Sequence, residues 1–236
     1  MEPGELARRF KTLSTAHLAD ACVRVGVPVR CAPSAVSPVT PGDRMAGRVL
    51  PARHAGSVDI FLEALQDAAP GDVLVVDDDA GRSDAACVGD LMVLEAKEAG
   101  LAGMVIWGLH RDTVDVRAIG LPVFSMGASP TGPLRPGTRP PDALEAATVG
   151  EWQVDSQDVV AGDDDGVLFV PLDRAEEVFS VAERIRDTER GQIERMRGGV
   201  SLREQVRFHD YLAERVSNPE LTFREHLRVV RGAIEE

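Results

Sequence analysis

Aromatic residues, cysteine and long apolar runs are all scarce in this sequence. Aromatics make up 4% of the 236 residues, so aliphatic side chains and alanine must fill the core. The three cysteines, Cys22, Cys31 and Cys87, have no CxxC spacing, which argues against a disulfide framework and a structural zinc site. No apolar run approaches the ~20 residues of a membrane span, and the first residues do not resemble a secretory signal peptide. We therefore expect a cytoplasmic protein with no membrane partner.

Positive charge is also in deficit. Lys and Arg number 26 against 39 Asp and Glu, which gives a formal net charge of −13. A protein this acidic repels polyphosphate, so we expect no nucleic-acid partner. The hydrophobic content of 44% and the charged content of 28% are ordinary for a globular protein. The length fits one large domain or a domain with an appendage.

Several common catalytic motifs are missing from the sequence. It contains no GxxxxGK[ST], no HExxH, no GxSxG and no GxGxxG after a predicted strand. These motifs carry the phosphate loop, the zinc site of many proteases, the hydrolase nucleophile and the dinucleotide-binding turn. The corresponding classes of enzyme are therefore poor explanations of this chain.

Buried strands alternate with helices through the middle of the chain. Apolar runs at 73–76, 104–106 and 122–125 predict strands, and the segments 90–99 and 112–118 between them predict helices. This alternation is typical of an α/β protein with a largely parallel central sheet. Further predicted elements are a helix at 12–25 capped by Ser14 or Thr15, a strand at 45–50, a helix at 58–68, and strands at 148–154 and 159–170, the latter interrupted by a hairpin turn at 162–166.

The last part of the sequence is predicted to be helical. A helical pattern begins at Asp173 and ends at Gly198-Gly199. Beyond it, Ser201-x-x-Glu204 and Thr222-x-x-Glu225 have the spacing of capping boxes that begin helices. We therefore predict a main domain over residues 1–200 and a helical C-terminal extension over residues 201–236.

Residues with useful chemistry follow the predicted strands. Ligands of open α/β sheets bind at the carboxyl ends of strands. Arg111-Asp112 follows one strand, and Gly89-Asp90 begins the helix before it. A helix N-terminus and an arginine can hold a carboxylate, and Asp90 and Asp112 offer the oxygen ligands that Mg²⁺ or Mn²⁺ prefers. Together these residues form a plausible site for a small 2-oxo acid.

Each residue also has a simpler explanation. Asp90 alone could cap its helix, and Arg111-Asp112 could be a surface ion pair that contributes little. Only their combination on adjacent strand ends favours a functional site.

Four other features are assigned no function. His110 is predicted to be an exposed loop residue, and the runs Asp77–Asp79 and Asp163–Asp165 are predicted to be solvated turns. Cys87 is predicted to be a small buried apolar residue rather than a nucleophile.

Several motifs of this chain together resemble a known family. They are Pro70-Gly71-Asp72-Val73-Leu74-Val75-Val76-Asp77, Gly89-Asp90-Leu91 and Gly108-Leu109-His110-Arg111-Asp112, with support from segments 13–21, 120–124 and 163–167. On these residues the sequence resembles the 4-hydroxy-4-methyl-2-oxoglutarate aldolase family. That family also contains the regulator of ribonuclease E activity and proteins once mislabelled as menaquinone methyltransferases. The resemblance covers roughly residues 12–199.

The resemblance implies a fold and an activity. The fold would be a three-layer β/β/α swivelling domain, assembled as a homotrimer or homohexamer with active sites between subunits. The activity would be that of a lyase that uses Mg²⁺ or Mn²⁺ for retro-aldol cleavage to pyruvate. Its substrate would be of the 4-hydroxy-4-methyl-2-oxoglutarate or 4-carboxy-4-hydroxy-2-oxoadipate type. Decarboxylation of oxaloacetate would be a side activity.

The resemblance also implies roles for three charged residues. Arg111 would bind the 2-oxo acid and stabilise the enolate that forms from it. Asp112 would hold the metal, largely through water. Asp90 would lie beside the metal and take part in a proton relay.

The remaining implied site residues bind the substrate or come from another subunit. The helix start at Gly89, with the backbone amides of Leu91 and Met92, would receive the pyruvate carboxylate. Glu189, from the C-terminal helix of a neighbouring subunit, would complete the metal site.

Differences from the family pattern leave two alternatives open. Asp77–Asp79 stands where relatives are usually rich in glycine, Trp107 stands where many have an acidic residue, and residues 201–236 exceed the shortest members. One alternative is a non-catalytic regulator that binds a protein partner. The other is a lyase that acts on a specialised biosynthetic intermediate.

Overall fold

The computed structural model describes residues 3–78, 84–133 and 137–230. It divides into two compact units, Met1–Phe179 and Ser180–Glu236. Asp79, part of one predicted acidic turn, lies outside the described residues. The predicted independence of residues 201–236 as an extension stays a prediction.

The first unit contains the sheet and most of the helices. Its elements are α1 (Pro3–Phe10), α2 (Thr15–Val25), β1 (Arg30–Cys31), β2 (Ser37–Pro38), β3 (Met45–Arg53), α3 (Asp59–Ala64), β4 (Val73–Asp77), β5 (Ala86–Val88), α4 (Asp90–Glu98), β6 (Gly103–Trp107), β7 (Leu109–His110), α5 (Thr113–Ile119), β8 (Val123–Ser125), β9 (Ala146–Val149), β10 (Trp152–Asp155), β11 (Asp158–Asp163), β12 (Gly166–Pro171) and the start of α6 (Leu172–Arg197).

The main sheet is mixed, with parallel strands at its centre. Its strand order is β1-β12-β11-β3-β4-β6-β8-β2. The neighbours β3, β4, β6 and β8 are parallel, and the outer pairs are antiparallel. Two smaller sheets pair β9 with β10 and β5 with β7. The predicted α/β class is therefore confirmed, and the predicted strands β4, β6 and β8 are parallel to one another and to β3.

The central strands are covered on both faces. All five residues of β4 are buried. Val73 and Val75 belong to one apolar cluster, and Leu74 and Val76 belong to another. Because successive side chains of a strand point to opposite faces, each face of the sheet has its own core. This explains why these strands are continuous apolar runs in the sequence.

Local details refine the sequence-based prediction of the first unit. Ser14 caps α2 by accepting a hydrogen bond from His17 N, as predicted. The predicted single strand over 148–154 is wrong, because a turn at Gly150 divides it into β9 and β10. Gly150 has φ +63°, and an added Cβ there would overlap Pro33. The helix α1 was not predicted.

The predicted solvated turn at Asp163–Asp165 is also wrong for its first residue. Asp163 is buried, and its carboxylate accepts hydrogen bonds from the amide of Thr15 at 2.9 Å and from its hydroxyl at 2.6 Å. The carboxylate therefore joins the β11–β12 turn to the start of α2, whereas Asp164 and Asp165 are exposed as predicted.

The second unit is helical. It contains the rest of α6, then α7 (Leu202–Gln205), α8 (Phe208–Ser217) and α9 (Phe223–Val230). The predicted capping boxes are confirmed, since Ser201 exchanges hydrogen bonds with Glu204 and Thr222 exchanges them with Glu225. Aromatic rings of Phe208, Tyr211, Phe223 and His226 pack together in this unit. Among the described helices of the whole chain, none has the length and apolar character of a membrane span.

Candidate functional site

Two short strands bring the predicted site residues together. β5 and β7 are parallel, with Val88 opposite His110. The amide of Arg111 donates a hydrogen bond to the carbonyl of Val88 at 2.9 Å. Because parallel strands end on the same side, the residues that follow them, Gly89 and Arg111, lie next to each other. The pairing of β5 with β7 therefore sets the position of the site.

Gly89 is in close contact with both charged residues of the Arg111-Asp112 dipeptide. A Cβ atom built on Gly89 would lie 2.5 Å from Oδ2 of Asp112 and 3.1 Å from Nε of Arg111. The backbone of Gly89 has φ −126° and ψ −175°, an extended conformation open to any residue. Glycine is therefore needed here for space rather than for backbone freedom.

A second glycine lies against the other end of the Arg111 side chain. A Cβ atom on Gly132 would lie 2.8 Å from one terminal nitrogen of the guanidinium. The guanidinium thus lies close to two glycines, and its Nε is 3.3 Å from Oδ2 of Asp112. The expected surface ion pair is therefore present. Its side chains are 48% and 39% exposed, so both groups remain accessible to a small ligand.

Asp112 has an unusual backbone conformation for its residue type. Its φ of 58° and ψ of 40° lie in the left-handed region, which Asp adopts more readily than most residues. It precedes the first residue of α5, yet its side chain makes no capping hydrogen bond to that helix. The carboxylate instead lies beside the guanidinium of Arg111.

Asp90 is the first residue of α4 rather than its N-cap, which is Gly89, so the simpler explanation of Asp90 as the cap is wrong. Its Oδ1 accepts a hydrogen bond from the amide of Leu91 at 2.8 Å at the start of α4. The side chain of Leu91 is 79% exposed, whereas that of Met92 is buried. For the Leu91 amide to receive a substrate carboxylate, the Asp90 side chain must first turn away from it. Glu189 lies on α6, within the second unit, and is half-buried.

His110 is buried, so its prediction as an exposed loop residue is wrong. Its ring forms hydrogen bonds with the Ser125 hydroxyl at 2.7 Å and the Thr113 hydroxyl at 3.0 Å, and 4% of the residue is exposed. Burial lowers the pKa of His110. The neutral ring therefore connects β7, β8 and the start of α5, and it fixes the strand that immediately precedes Arg111.

His110 also lines a cavity of about 240 Å³. Neither Arg111 nor Asp112 lines it. It is lined by Ser37, Pro38, Val39, His110, Thr113, Arg117, Ser125, Gly127 and Ala128. The charged residues of the candidate site therefore lie outside this cavity.

A second group of polar residues is buried, and the sequence pattern did not predict it. Asp77 and Asp78 are 5% and 3% exposed, so the predicted solvated turn is wrong for both. Asp77 accepts a hydrogen bond from the amide of Thr148. Asp78 lies with His54 and Cys87, with one potential ligand atom of each within 4.8 Å of the others. Cys87 is buried, as predicted, but its neighbours include the polar side chains of His54 and Asp78.

Comparison with protein families finds one matching model. A family model described as "RraA-like: Aldolase/RraA" matches residues 15–169. A protein of Halalkalibacterium halodurans, named "Putative 4-hydroxy-4-methyl-2-oxoglutarate aldolase", is 27% identical over 177 residues. The match covers 75% of this chain and 81% of that protein.

Solved structures share the fold over most of the chain. An uncharacterized protein of Pseudomonas syringae is 25% identical with a TM-score of 0.73, over 84% of this chain and 94% of that one. The protein RraAS2 of Streptomyces coelicolor, described as an unusual member of the RNase ES inhibitor RraA family, is 28% identical with a TM-score of 0.71. That match covers 82% of this chain and 98% of that one.

Proposed function

Because this chain belongs to the RraA-like family, we propose that it is a divalent-metal-dependent lyase that cleaves a 4-hydroxy-2-oxo acid to pyruvate. The observation that carries this proposal is the contact of Gly89 with both Arg111 and Asp112. It brings a guanidinium, a carboxylate and the N-terminus of α4 to one exposed place at the ends of two strands. An anion-binding group beside a metal-binding group is what a 2-oxo acid needs.

The chemistry of Asp112 fits a hard divalent cation. Its carboxylate is accessible, makes no capping bond, and is held in place by its left-handed backbone and by Gly89. Mg²⁺ and Mn²⁺ prefer such oxygen ligands and usually keep several waters. Asp112 would hold the cation, with Asp90 beside it and Glu189 of the partner subunit completing the set. When bound, the cation supplies Lewis-acid polarisation of the substrate's 2-oxo group.

Arg111 and α4 bind and orient the substrate. Once Asp90 releases the amide of Leu91, the amides in the first turn of α4 and the guanidinium both favour a carboxylate. The glycines on either side of the guanidinium restrict its position. Arg111 therefore stabilises the negative charge that develops on the 2-oxo oxygen as the C–C bond breaks.

Protons move at two atoms in this reaction. The substrate's 4-hydroxyl loses a proton, the C3–C4 bond breaks, and its electron pair forms the enolate of pyruvate. C3 of the enolate then takes a proton. Asp90 is placed to relay protons through water, because it is partly exposed and can exchange the Leu91 amide for a water molecule. Loss of CO₂ from oxaloacetate gives the same enolate, so we expect that side activity.

Pyruvate release tests the proposal. The purified protein is assayed with 4-hydroxy-4-methyl-2-oxoglutarate and with oxaloacetate, with and without Mg²⁺ or Mn²⁺. We expect cation-dependent turnover that falls at least ~100-fold in Arg111→Ala, since one oxyanion-stabilising group contributes about that much. Asp112→Ala should lose its response to the cation. Asp115→Ala, which removes an exposed carboxylate three residues further along α5, is the matched control and should remain active.

The location of the third acidic ligand needs its own test. If Glu189 of the partner subunit completes each site, then Arg111→Ala and Glu189→Gln remove residues that two different chains contribute to the same site. Refolding the two inactive variants together at equal amounts should restore about a quarter of the sites by random assortment in a cyclic oligomer. Recovery no greater than the sum of the two variants alone would contradict the shared site.

The similarity to RraAS2 favours one competing function. That protein is described as belonging to a family of RNase ES inhibitors, and the match covers 98% of its length. A regulator would bind its protein partner without turnover. The lyase proposal would be contradicted if the protein released no pyruvate in the presence of the cation and if Arg111→Ala behaved like the wild-type protein. That result would favour the regulator.

A further inference from the structure

A second group of side chains that could bind a metal ion lies at the ends of the central strands. His54 directly follows β3, and Asp78 directly follows β4. These parallel strands pair Arg53 with Asp77, so the next residue of each strand falls side by side. Cys87 is the middle residue of β5. The fold therefore gathers His54, Asp78 and Cys87, which we name the buried triad.

The buried triad is enclosed and only partly hydrogen-bonded. Its residues are 6%, 3% and 4% exposed in sequence order. Nδ1 of His54 forms a 2.7 Å hydrogen bond with Oδ1 of Asp78. Nε2 of His54 is buried and has no partner among the described residues. Since buried polar groups almost always have a partner, this unpaired nitrogen shows that the described residues leave part of the hydrogen-bonding capacity of the triad unused.

We propose that the buried triad is a binding site for a single divalent transition cation of the Zn²⁺ type. Imidazole nitrogen, carboxylate oxygen and thiolate sulfur are the three donor types that Zn²⁺ takes in proteins. This donor set differs from that of Asp90 and Asp112, which offer only oxygen. The site is therefore separate from the proposed lyase centre, and it does not depend on that function.

The donor spacing is compatible with tetrahedral coordination. One ligand atom from each of the three residues lies within 4.8 Å of the others. Bonds of about 2.0–2.3 Å in a tetrahedron place neighbouring ligand atoms roughly 3.3–3.8 Å apart. The upper bound of 4.8 Å exceeds this spacing by about 1 Å, which the ligands would close as they turn toward the cation. Nδ1 of His54 lies beside the Asp78 carboxylate and would coordinate the cation by giving up its bond to Asp78.

The charges of the triad and the cation cancel. Burial, reinforced by the Asp78 carboxylate, raises the pKa of the Cys87 thiol well above its usual value. On coordination the thiol proton passes to the buffer, and the resulting thiolate and the Asp78 carboxylate neutralise the two charges of the cation. A neutral assembly avoids the large cost of an unpaired charge in a buried site.

Surrounding groups hold two of the three ligands in place. The ring of His54 stacks on Phe61 with centroids 5.2 Å apart. The side chain of Asp78 packs against Gly108, where an added Cβ would lie 2.7 Å from Cβ of Asp78. Such supporting contacts are what orient ligands in metal sites. A fourth coordination position is left for water or another small ligand.

Cobalt titration of the full-length, metal-free protein tests this proposal. Co²⁺ adopts the zinc geometry and shows sulfur-to-cobalt absorption in the near ultraviolet only when a thiolate binds it. We expect this band to saturate at one equivalent in the wild-type protein and to be lost in Cys87→Ser. Asp78→Asn and His54→Gln should weaken Co²⁺ binding by at least roughly 10-fold, since even residues outside the ligand set contribute about that much.

Matched variants identify the sulfur and separate the two metal sites. Cys31 is exposed, so Cys31→Ser is the control for adventitious thiolate binding and should keep the band. Asp112→Asn should also keep it, whatever the outcome of the lyase assays. A wild-type protein without the band, or a band that disappears in Cys31→Ser and persists in Cys87→Ser, would overturn the proposal.

X-ray absorption provides a second measurement that does not require Cys87→Ser to fold. In the zinc-loaded Cys22→Ser/Cys31→Ser variant, Cys87 is the one remaining cysteine. We expect one sulfur at about 2.3 Å with nitrogen and oxygen at about 2.0–2.1 Å. A first shell of nitrogen and oxygen alone would overturn the proposal.

Discussion

Substitution of Gly89 by alanine would test whether the close contact at the candidate site matters for activity. The new methyl group would lie 2.5 Å from Oδ2 of Asp112, whereas ordinary contacts begin at 3.4 Å. The carboxylate would have to move by about 0.9 Å to reach an ordinary contact distance. The methyl group would also lie 3.1 Å from Nε of Arg111 and press on the guanidinium. Both groups of the proposed site are thus displaced by one methyl group.

The expected loss of activity follows from this displacement. A misplacement of about 1 Å can cost roughly 100-fold in rate, which corresponds to ~2.7 kcal/mol of transition-state stabilisation. We expect kcat/KM for pyruvate release from oxaloacetate to fall by about this factor in Gly89→Ala. Part of the loss should be recovered at higher Mn²⁺, because a displaced Asp112 binds the cation more weakly.

The fold should survive the substitution. The backbone of Gly89 is extended, so alanine adopts it without strain. The two displaced side chains are 48% and 39% exposed and can move into solvent. We therefore expect the melting temperature to change by no more than about 4 °C, which is roughly 1 kcal/mol for a chain of this size.

Two glycine variants serve as controls for Gly89→Ala. Gly132→Ala presses only on the terminal nitrogen of the flexible Arg111 side chain, so its loss of activity should be smaller. Gly4→Ala adds a methyl group with no atom within 4 Å and should leave activity unchanged. If Gly89→Ala keeps wild-type activity within about threefold, Arg111 and Asp112 do not act from the positions that the structure gives them.

Three further predictions concern stability. Burial lowers the pKa of His110, so protonation of this residue favours the unfolded state. The stability of the protein should be full above about pH 6.5 and should fall as the pH drops below that value. In thermal melts, His110→Gln should flatten this pH dependence. Asp163→Ala leaves the buried amide and hydroxyl of Thr15 unpaired and should cost about 3 kcal/mol, or ~6–12 °C in melting temperature, with Asp163→Asn milder. Gly47→Ala would overlap the backbone carbonyl of Gly71 and should lower the yield of folded protein or cost at least ~3 kcal/mol in urea unfolding. A melt that does not vary with pH, or wild-type stability in either of the other two variants, would contradict the corresponding argument.

Elements whose sequence pattern is set by one local rule could be predicted. The continuous apolar run of β4 reflects burial on both faces, and Ser14 caps α2 because its side chain is placed to accept from the first turn. The proximity of Arg111 to Gly89 could be predicted for a similar reason. Both follow strands, and parallel strands end together.

Features that depend on pairing register could not be predicted from the sequence. His54 and Asp78 are 24 residues apart and meet only because β3 and β4 are parallel in the register that pairs Arg53 with Asp77. His110 belongs to a two-residue strand, too short to produce a periodic pattern, and its hydrogen-bond partners Ser125 and Thr113 lie on other elements of the fold. In both cases a polar residue after an apolar run has the same sequence signature as a solvated loop.

The segment from Cys87 to Gly89 would connect two proposed metal sites that differ in the type of their ligand atoms. Cys87 belongs to the buried triad, and two residues later Gly89 contacts the exposed carboxylate of Asp112. The oxygen ligands at Asp112 suit Mg²⁺ or Mn²⁺, whereas thiolate and imidazole select Zn²⁺. Zn²⁺ also binds carboxylates, so an effect of Zn²⁺ on turnover could arise at either site. Comparing Cys87→Ser with wild-type protein under the same Zn²⁺ separates the two: an effect that persists in the variant arises at the exposed site, and an effect that is lost arises at the triad.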